Sequence, residues 1–390
     1  MSKQNRDLDV LIVGAGITGV ALALVLHQAG LRVTVVDHAP LPVFVPSPGF
    51  DQRIYAMSQA SAAFLGRAGG WQRMDPLRVQ AICAMAVKGD RGGKLSLDSG
   101  EERGMGWIVE SGAMLEGLLS SQRQCAPGLI RANFSVDHVE VYDLGVKVTL
   151  NTGVTLTADL LVAADGVNSV MRSRMGIGAH FYPYGQTAIV ANYQTDRPHD
   201  GVARQWFFPG EILALLPLPE SRVSLVWSAQ ADHARALMEM TVAERTTELQ
   251  NKVGYGVGNL QEISRPAAFE LRRMEVERWI GPRFALVGDA AHGVHPMAGQ
   301  GLNLGLQDAA CLAEVLLQRG MGPDCGDLSM LRRYERARQE PVAAMQGLTR
   351  GLSSMFSQAT GPWVGLRNWG MNRVDGWNGV KNYLIHHANQ

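Results

Sequence analysis

Three stretches of this 390-residue chain set glycine beside a carboxylate at the end of an apolar run. The first is Gly14-Ala15-Gly16-Ile-Thr-Gly19, directly after the β-branched run Val10–Val13, with Asp37 lying 18 residues beyond Gly19. Gly14 permits a tight turn, Gly16 lets a pyrophosphate reach the backbone at a helix N-terminus, and Gly19 lets helix and strand pack closely. The Asp37 carboxylate can accept hydrogen bonds from a ribose diol. This is a dinucleotide grip, and it serves NAD and FAD alike. The second stretch, Asp165-Gly166-Val-Asn-Ser169-Val-Met-Arg172, follows the run Leu156–Ala164. It reads as a polar grip at a strand's C-terminal end or as an ordinary turn opening a helix. The third is Gly288-Asp289 after Ala285–Val287, leading into the Gly/Pro/His loop His292–Gly301. The helix opening near Leu302 carries roughly half a positive charge at its N-terminus, which would stabilise the anionic edge of a reduced flavin.

The elements that must position these residues can be read in order. Val20–Ala29 is a helix stopped by Gly30, and Arg32–Val36 is the strand that delivers Asp37. His38–Gly49, with four prolines, cannot be regular structure. Arg53 closes it, either as a surface charge or as a pyrophosphate partner, before a helix over Met57–Ala68. Ile82–Val87 and Lys94–Asp98 form a hairpin, Ser111 caps a helix over Ala113–Arg123, and Val136–Val141 pairs with Val146–Leu150. Between Tyr182 and Ser228 four strand-length runs follow one another with no helix between them. That pattern implies an antiparallel sheet inserted into the α/β unit, a natural wall for a substrate pocket. His233–Val253 reads as a single helix, Phe269–Leu271 as a further strand, and Leu302, Ala309, Ala313 and Leu316 as a buried helical stripe.

Composition excludes several classes. Lys+Arg and Asp+Glu balance at 36 each, so no basic excess is available to hold nucleic acid. The four cysteines include no CxxC pair, which suggests neither a disulfide framework nor a metal site, and free thiols suit a reducing compartment. No run reaches the roughly 18 apolar residues of a membrane span. Met1–Asp9 has neither a signal-peptide core nor transit-peptide character, so a cytoplasmic location is expected.

The order GxGxxG, then Asp-Gly, then Gly-Asp resembles the class A flavoprotein monooxygenases, the group of para-hydroxybenzoate hydroxylase. The runs Gly288–Ala309, Tyr184–Phe207 and Leu215–Ser228 are similar to the ubiquinone-biosynthesis hydroxylases within it. The resemblance implies an α/β chain: a Rossmann-like FAD-binding domain (1–75, 101–178 and 279–340), an inserted, mostly antiparallel substrate domain (76–100 and 179–278), and a C-terminal helical region (341–390). Gly14, Ala15, Gly16, Gly19 and Asp37 would hold the ADP half of FAD, with Val136 by the adenine and Arg53 near the pyrophosphate or flavin. Asp165 would lie near pyrophosphate and the passing nicotinamide nucleotide. Gly288 and Asp289 would take the ribityl chain, and Pro296, Gly299, Gln300, Gly301, Leu302 and Asn303 would line the isoalloxazine. Asp37 stands where these enzymes usually carry Glu, Met171 and Met297 where Val or Leu is usual, and Ser111–Gly112 departs from their usual Asn or Arg.

The implied reaction takes hydride from NADH or NADPH and hydroxylates an aromatic ring with O₂ through a flavin C4a-hydroperoxide. The substrate would be a polyprenylated phenol of ubiquinone biosynthesis. His295 is the candidate to position or deprotonate the phenol, because its ordinary pKa is near neutrality. The bland reading is that His292 and His295 only hydrogen-bond their loop. Trp363, Trp369 and Trp377, with Arg367, Arg373 and Lys381, make the tail a candidate for contact with the inner membrane face, for covering a prenyl chain, or for packing on the main domain. Alternatives are hydroxylation of a small soluble aromatic acid, or a non-catalytic flavin-bound scaffold in a biosynthetic complex or homo-oligomer.

Overall fold

Within Leu8–Val13 the run Val10–Val13 is apolar on both faces, and such a strand is stable where the sheet is covered on both sides. In the computed structural model it lies in the middle of a parallel sheet, between Val33–Asp37 and Thr155–Ala163. Ile130–Ala132 and Phe284–Leu286 extend the sheet on either side. The structure describes residues 6–44, 49–98, 104–293, 300–319 and 324–357, together with 368, 369, 372, 373 and 375. The helix Ile17–Gln28 leaves the first strand through the glycine turn, and Gly30, at φ +88°, returns the chain to the second. The antiparallel hairpin of Val136–Tyr142 and Gly145–Leu150 continues the sheet from Thr155–Ala163.

A second sheet, of eight strands, contains Ala179–Thr195, Val202–Phe208, Glu211–Leu218 and Arg222–Gln230, all neighbours paired antiparallel. Ala84–Lys88 and Lys94–Asp98 extend it at one end, and Leu260–Glu262 and Ala267–Val276 pair with Ala179–Thr195 at the other. Alternation assigns its two faces. Leu213, Leu215, Leu225 and Trp227 pack in a core with residues of the helices Ala231–Glu239 and Val242–Val253. Ala203, Ala214 and Leu216 turn the other way, toward Ile54, Ile82, Met105 and Ile108. Those last residues belong to, or immediately precede, a small three-stranded sheet of Ile54–Met57, Val79–Ile82 and Gly106–Glu110, which therefore sits between the two large ones.

Several expected elements differ. Met57 ends a strand, and the helix after it begins at Gln59, with Ser58 as the capping residue. The expected strand Ile82–Val87 is two strands divided at Cys83, one in each of two sheets. Ser111 does not cap its helix: Glu110 occupies the N-cap position, and its side chain turns away to bind Arg78 and accept the Asp51 N–H. The single helix His233–Val253 is broken after Glu239, because Thr241 and Glu244 form a capping box that starts a new one. The helix expected to open near Leu302 begins at Gln300. Leu328–Ser357 is one helix running across the boundary expected at residue 340.

None of the helices among the described residues is long and apolar enough to cross a membrane. Cys325 is buried and its thiol is pushed up to about 12 by burial, whereas Cys83 and Cys125 are exposed. Iodoacetamide at neutral pH is expected to alkylate Cys83 and Cys125 in the native protein and to spare Cys325 until unfolding. Peptide mapping of the labelled sites checks this, and native labelling of Cys325 would contradict it.

Candidate active site

The first glycine turn is shaped by contact, not only by flexibility. A Cβ on Gly14 would lie 2.3 Å from the Ala164 carbonyl oxygen, and one on Gly19 would lie 2.1 Å from that of Gly14. Gly16 is the opposite case: a Cβ there would meet nothing within 4 Å. Gly16 is also the N-cap of its helix, with no side chain capping the end and no acid in the first turn. The helix therefore offers bare N–H groups beside open space, which is what a pyrophosphate requires. Asp37 closes the turn from the second strand, accepting hydrogen bonds from the Ala15 N–H (2.6 Å) and the Ala39 N–H (2.8 Å). Val136 is buried at the start of its strand, and the neighbouring Phe134 N–H donates to the Asp37 carbonyl. These residues fit the adenosine diphosphate half of a dinucleotide.

The second and third stretches prove to be joined. Both oxygens of Asp165 accept hydrogen bonds within its own loop, from the Ser169 hydroxyl and the Met171 N–H. Ser169 caps the short helix Val170–Arg174 by accepting the Arg172 N–H (2.9 Å), and Asp165 supports that cap. Arg172 is buried, which lowers its pKa, and it donates to the Val167 carbonyl (3.0 Å) and across to the Ala290 carbonyl (2.9 Å). One guanidinium thus ties the Asp165 loop to the Gly288-Asp289 loop.

Gly288 takes φ +62°, and a Cβ on Gly305 would lie 3.1 Å from its Cα, so the strand end packs directly against the helix Gln300–Leu317. Asp308, fully buried on that helix, accepts from the Gly288 N–H (3.0 Å) and the Arg338 Nε–H (2.8 Å), with His292 Nε2 at 2.6 Å. His292 therefore belongs to a buried clamp, its ring lying 5.0 Å from that of Trp279. Asp289 is exposed at its edge, yet enough protein surrounds its carboxyl to desolvate it. Burial pushes its carboxyl up; His292 opposes the shift and Asp308 adds to it.

Asn303, expected along the flavin, lines the cleft and is held there by its amide: Nδ2 donates to the Ala56 carbonyl (2.7 Å) and Oδ1 accepts the Ser58 N–H (3.0 Å). It straps the helix start to the strand that roofs the cleft. Gly301 and Leu302 lie half-buried in the first turn of that helix, which begins at Gln300. His295, Pro296 and Gly299 lie outside the described residues. Arg53 is exposed and lines a cavity of about 180 Å³ with its neighbour Tyr55. Burial, then the charge of Asp289, push the Tyr55 hydroxyl up, and Arg53 opposes them, so these three side chains share one electrostatic neighbourhood.

Tyr55, Asp308, Arg338 and Gln205 were missed by the sequence reading. Asp308 had a signal, a carboxylate four residues after Leu304 on an otherwise apolar helical stripe. The described tail residues lie on the substrate-sheet hairpin: Asn368 accepts the Gly93 N–H (3.0 Å), Asn372 that of Lys94 (2.8 Å) and Asp375 that of Ser96 (2.9 Å). They cover the edge of the Lys94–Asp98 strand. Trp369 is exposed, with the Arg373 guanidinium 5.3 Å from its ring centre.

A glycine-turn cradle, a Gly-Asp strand end against a helix N-terminus, and a cleft over an inserted sheet define a flavoprotein oxidoreductase. Comparisons agree. Residues 7–348 match the FAD binding domain family. The chain is 33% identical over 386 residues to Ubiquinone hydroxylase UbiL of Rhodospirillum rubrum, covering 98% of this chain and 90% of that one. It is 30% identical over 387 residues to the 3-demethoxyubiquinol 3-hydroxylase of Escherichia coli, covering 98% and 99%. Among solved structures, PqsL of Pseudomonas aeruginosa in complex with 2-aminobenzoylacetate matches with a TM-score of 0.78 at 23% identity, covering 94% of this chain and 99% of that one, a likeness of fold. The chain belongs to the FAD binding domain family, and within it to the class A flavoprotein monooxygenases of the ubiquinone-hydroxylase group. Its cofactor is FAD.

Proposed function

We propose that this enzyme hydroxylates the aromatic ring of a polyprenylated phenol in ubiquinone biosynthesis. Each turnover consumes one NADH or NADPH, one O₂ and one proton; one oxygen atom enters the ring and the other leaves as water. FAD, when bound, supplies hydride acceptance and activation of O₂. The chain's own residues bind, orient and keep the site dry. Gly14, Gly16, Gly19 and Asp37 hold the nucleotide end, and Asp289 holds the ribityl hydroxyls. The observation that carries the reading is the cleft itself. It lies between the Asn303-strapped strand and a mostly apolar sheet face, with Arg53, Tyr55, Arg204, Gln205 and Ser228 among its polar members. Such a site holds a flat phenol and excludes the water that would waste reducing equivalents.

The tail's hydrogen bonds to the hairpin favour the reading in which it packs on the main domain. The exposed Trp369 beside Arg373 is the feature a peripheral place on the inner face of the membrane would use. The test uses purified holoenzyme, which is expected to be yellow and to oxidise NADH or NADPH faster with a prenylated phenol. With ¹⁸O₂ the product should gain one labelled oxygen. A yellow protein that oxidises neither nucleotide with any such phenol supports the scaffold role instead. His295→Ala is expected to keep FAD and slow product formation by about a hundredfold, the low end of general acid–base effects. Unchanged turnover would remove His295 from the chemistry.

A further inference from the structure

The cleft over the antiparallel sheet consists of two compartments with a shared wall. Register explains the division. Gln205 lies directly opposite Ala214, and Ala214 opposite Val226, so these three form one row across the sheet face. One step toward the hairpin, Met85 lies opposite Ala203. Gln205, Ala214 and Leu216 line both compartments; Met57 and Met85 line only the one, Arg53 and Val226 only the other.

The two differ in size and chemistry. The larger, about 180 Å³, is bounded by Arg53, Tyr55 and Ser228 among apolar neighbours. An apolar cavity of about 150 Å³ holds a benzene ring, so this one has room for a substituted ring whose polar groups find partners. The smaller, about 100 Å³, is too small for the same ring. Most of its wall is apolar, with Met57, Ile82, Met85 and Met105 around Ala203 on the floor, and Ser58, Arg204, Gln205 and Asn303 are its polar members. The three methionines come from three separate segments, the end of the roof strand, the hairpin, and the residue before Gly106–Glu110. Unbranched, flexible thioethers repack around a flexible apolar guest, whereas a rigid ring is better held by rigid walls.

We propose that the substrate's aromatic ring occupies the Arg53–Tyr55 compartment, while the first isoprenoid unit of its side chain lies in the methionine compartment. The chain passes over the neck of Gln205, Ala214 and Leu216, where Ala214 contributes the smallest of the three side chains. This assignment rests on the polyprenylated-phenol reading and adds to it a structural basis for selecting a chain-bearing ring.

The test measures dissociation constants from the flavin absorbance change on adding phenols that differ only in carrying no chain, one isoprenoid unit or two. Wild-type holoenzyme is expected to gain tenfold or more in affinity with the first unit and less with the second. Met85→Trp and, as a smaller step, Ala203→Val should remove at least most of that gain. Binding of the chainless phenol, FAD content and melting midpoint should change little. No first-unit gain in the wild type overturns the assignment, whether or not a variant folds. So does an equal loss for chainless and prenylated phenols in a variant that retains FAD. Wild type that hydroxylates none of the phenols overturns the functional reading and the assignment together; wild type that hydroxylates them without a first-unit gain overturns the assignment alone.

Discussion

Gly14→Ala is expected to yield protein without flavin and with a lowered melting midpoint, whereas Gly16→Ala is expected to lower FAD affinity alone. The two glycines are two residues apart and differ in what surrounds them. At Gly14 the new methyl would meet the Ala164 carbonyl at 2.3 Å, at a φ of +115° that L side chains rarely adopt. Backbone strain of that kind costs about 1–3 kcal/mol, and forcing an extra carbon into packed surroundings a further roughly 1–3 kcal/mol. The strand end Ala163–Ala164 would have to move, and with it the Asp165 loop that Arg172 ties to Ala290. Gly16 has an ordinary φ of −74° and nothing within 4 Å of its Cβ position. Its methyl would stand in the space where the pyrophosphate approaches the helix N–H groups. Thermal unfolding of both apoproteins, with FAD titration followed by fluorescence quenching, separates the two effects. Equal unfolding midpoints for Gly14→Ala and wild type would refute the packing argument. Undiminished FAD affinity in Gly16→Ala would refute the placement of the pyrophosphate.

The second large effect is expected at Asp308. Its carboxylate receives the Gly288 N–H, the Arg338 guanidinium and His292, and neither Asp308 nor its two side-chain partners is appreciably exposed. Asp308→Ala leaves the Arg338 charge buried, with the Gln307 side chain (3.2 Å) and the Leu304 carbonyl (3.4 Å) as weaker partners. Removing one member of a buried ion pair costs about 3–5 kcal/mol, most of it from the charge left behind. Asp308→Asn keeps an acceptor for Gly288 and should lose less. The double variant Asp308→Ala/Arg338→Met should recover part of the loss, because it removes the stranded charge. Urea unfolding of the four proteins checks the ordering. If the double variant is no more stable than Asp308→Ala, buried charge is not the cause. FAD affinity should fall in Asp308→Ala as well, because the Gly288 amide that aims Asp289 loses its anchor.

How much of this was legible depends on how local each feature is. The glycine turn could be read because strand end, turn and helix start occupy one continuous stretch, and every residue's role follows from its immediate neighbours. The antiparallel sheet was legible for a related reason: its alternation recurs in each strand, so strands could be counted before any pairing was known. The strand Ile54–Met57 was not legible, and its last residue was read as the start of the helix after it. Four residues carry no usable periodicity, and their strand character comes from pairing with Gly106–Glu110 some fifty residues on. The break at Cys83 is of the same kind, since the residues on its two sides join different sheets.

What the amino-acid order by itself determined is the cofactor class. Close backbone approach, left-handed turns and a carboxylate at a strand end are properties of residue types at short spacing, and they pointed to a dinucleotide grip before any fold was in hand. What only the tertiary structure decided is which side chains hold that grip in place and which remain to meet the substrate. Asp165 fixes its own loop by accepting from the Ser169 hydroxyl and the Met171 N–H. Asn303 lines the cleft and also straps its roof through Ala56 and Ser58. Asp308 and Arg338, thirty residues apart on two helices, became partners because burying either charge alone is too costly. A polar side chain's role is set by the hydrogen bonds it finds, and those partners are brought together by packing across the whole chain.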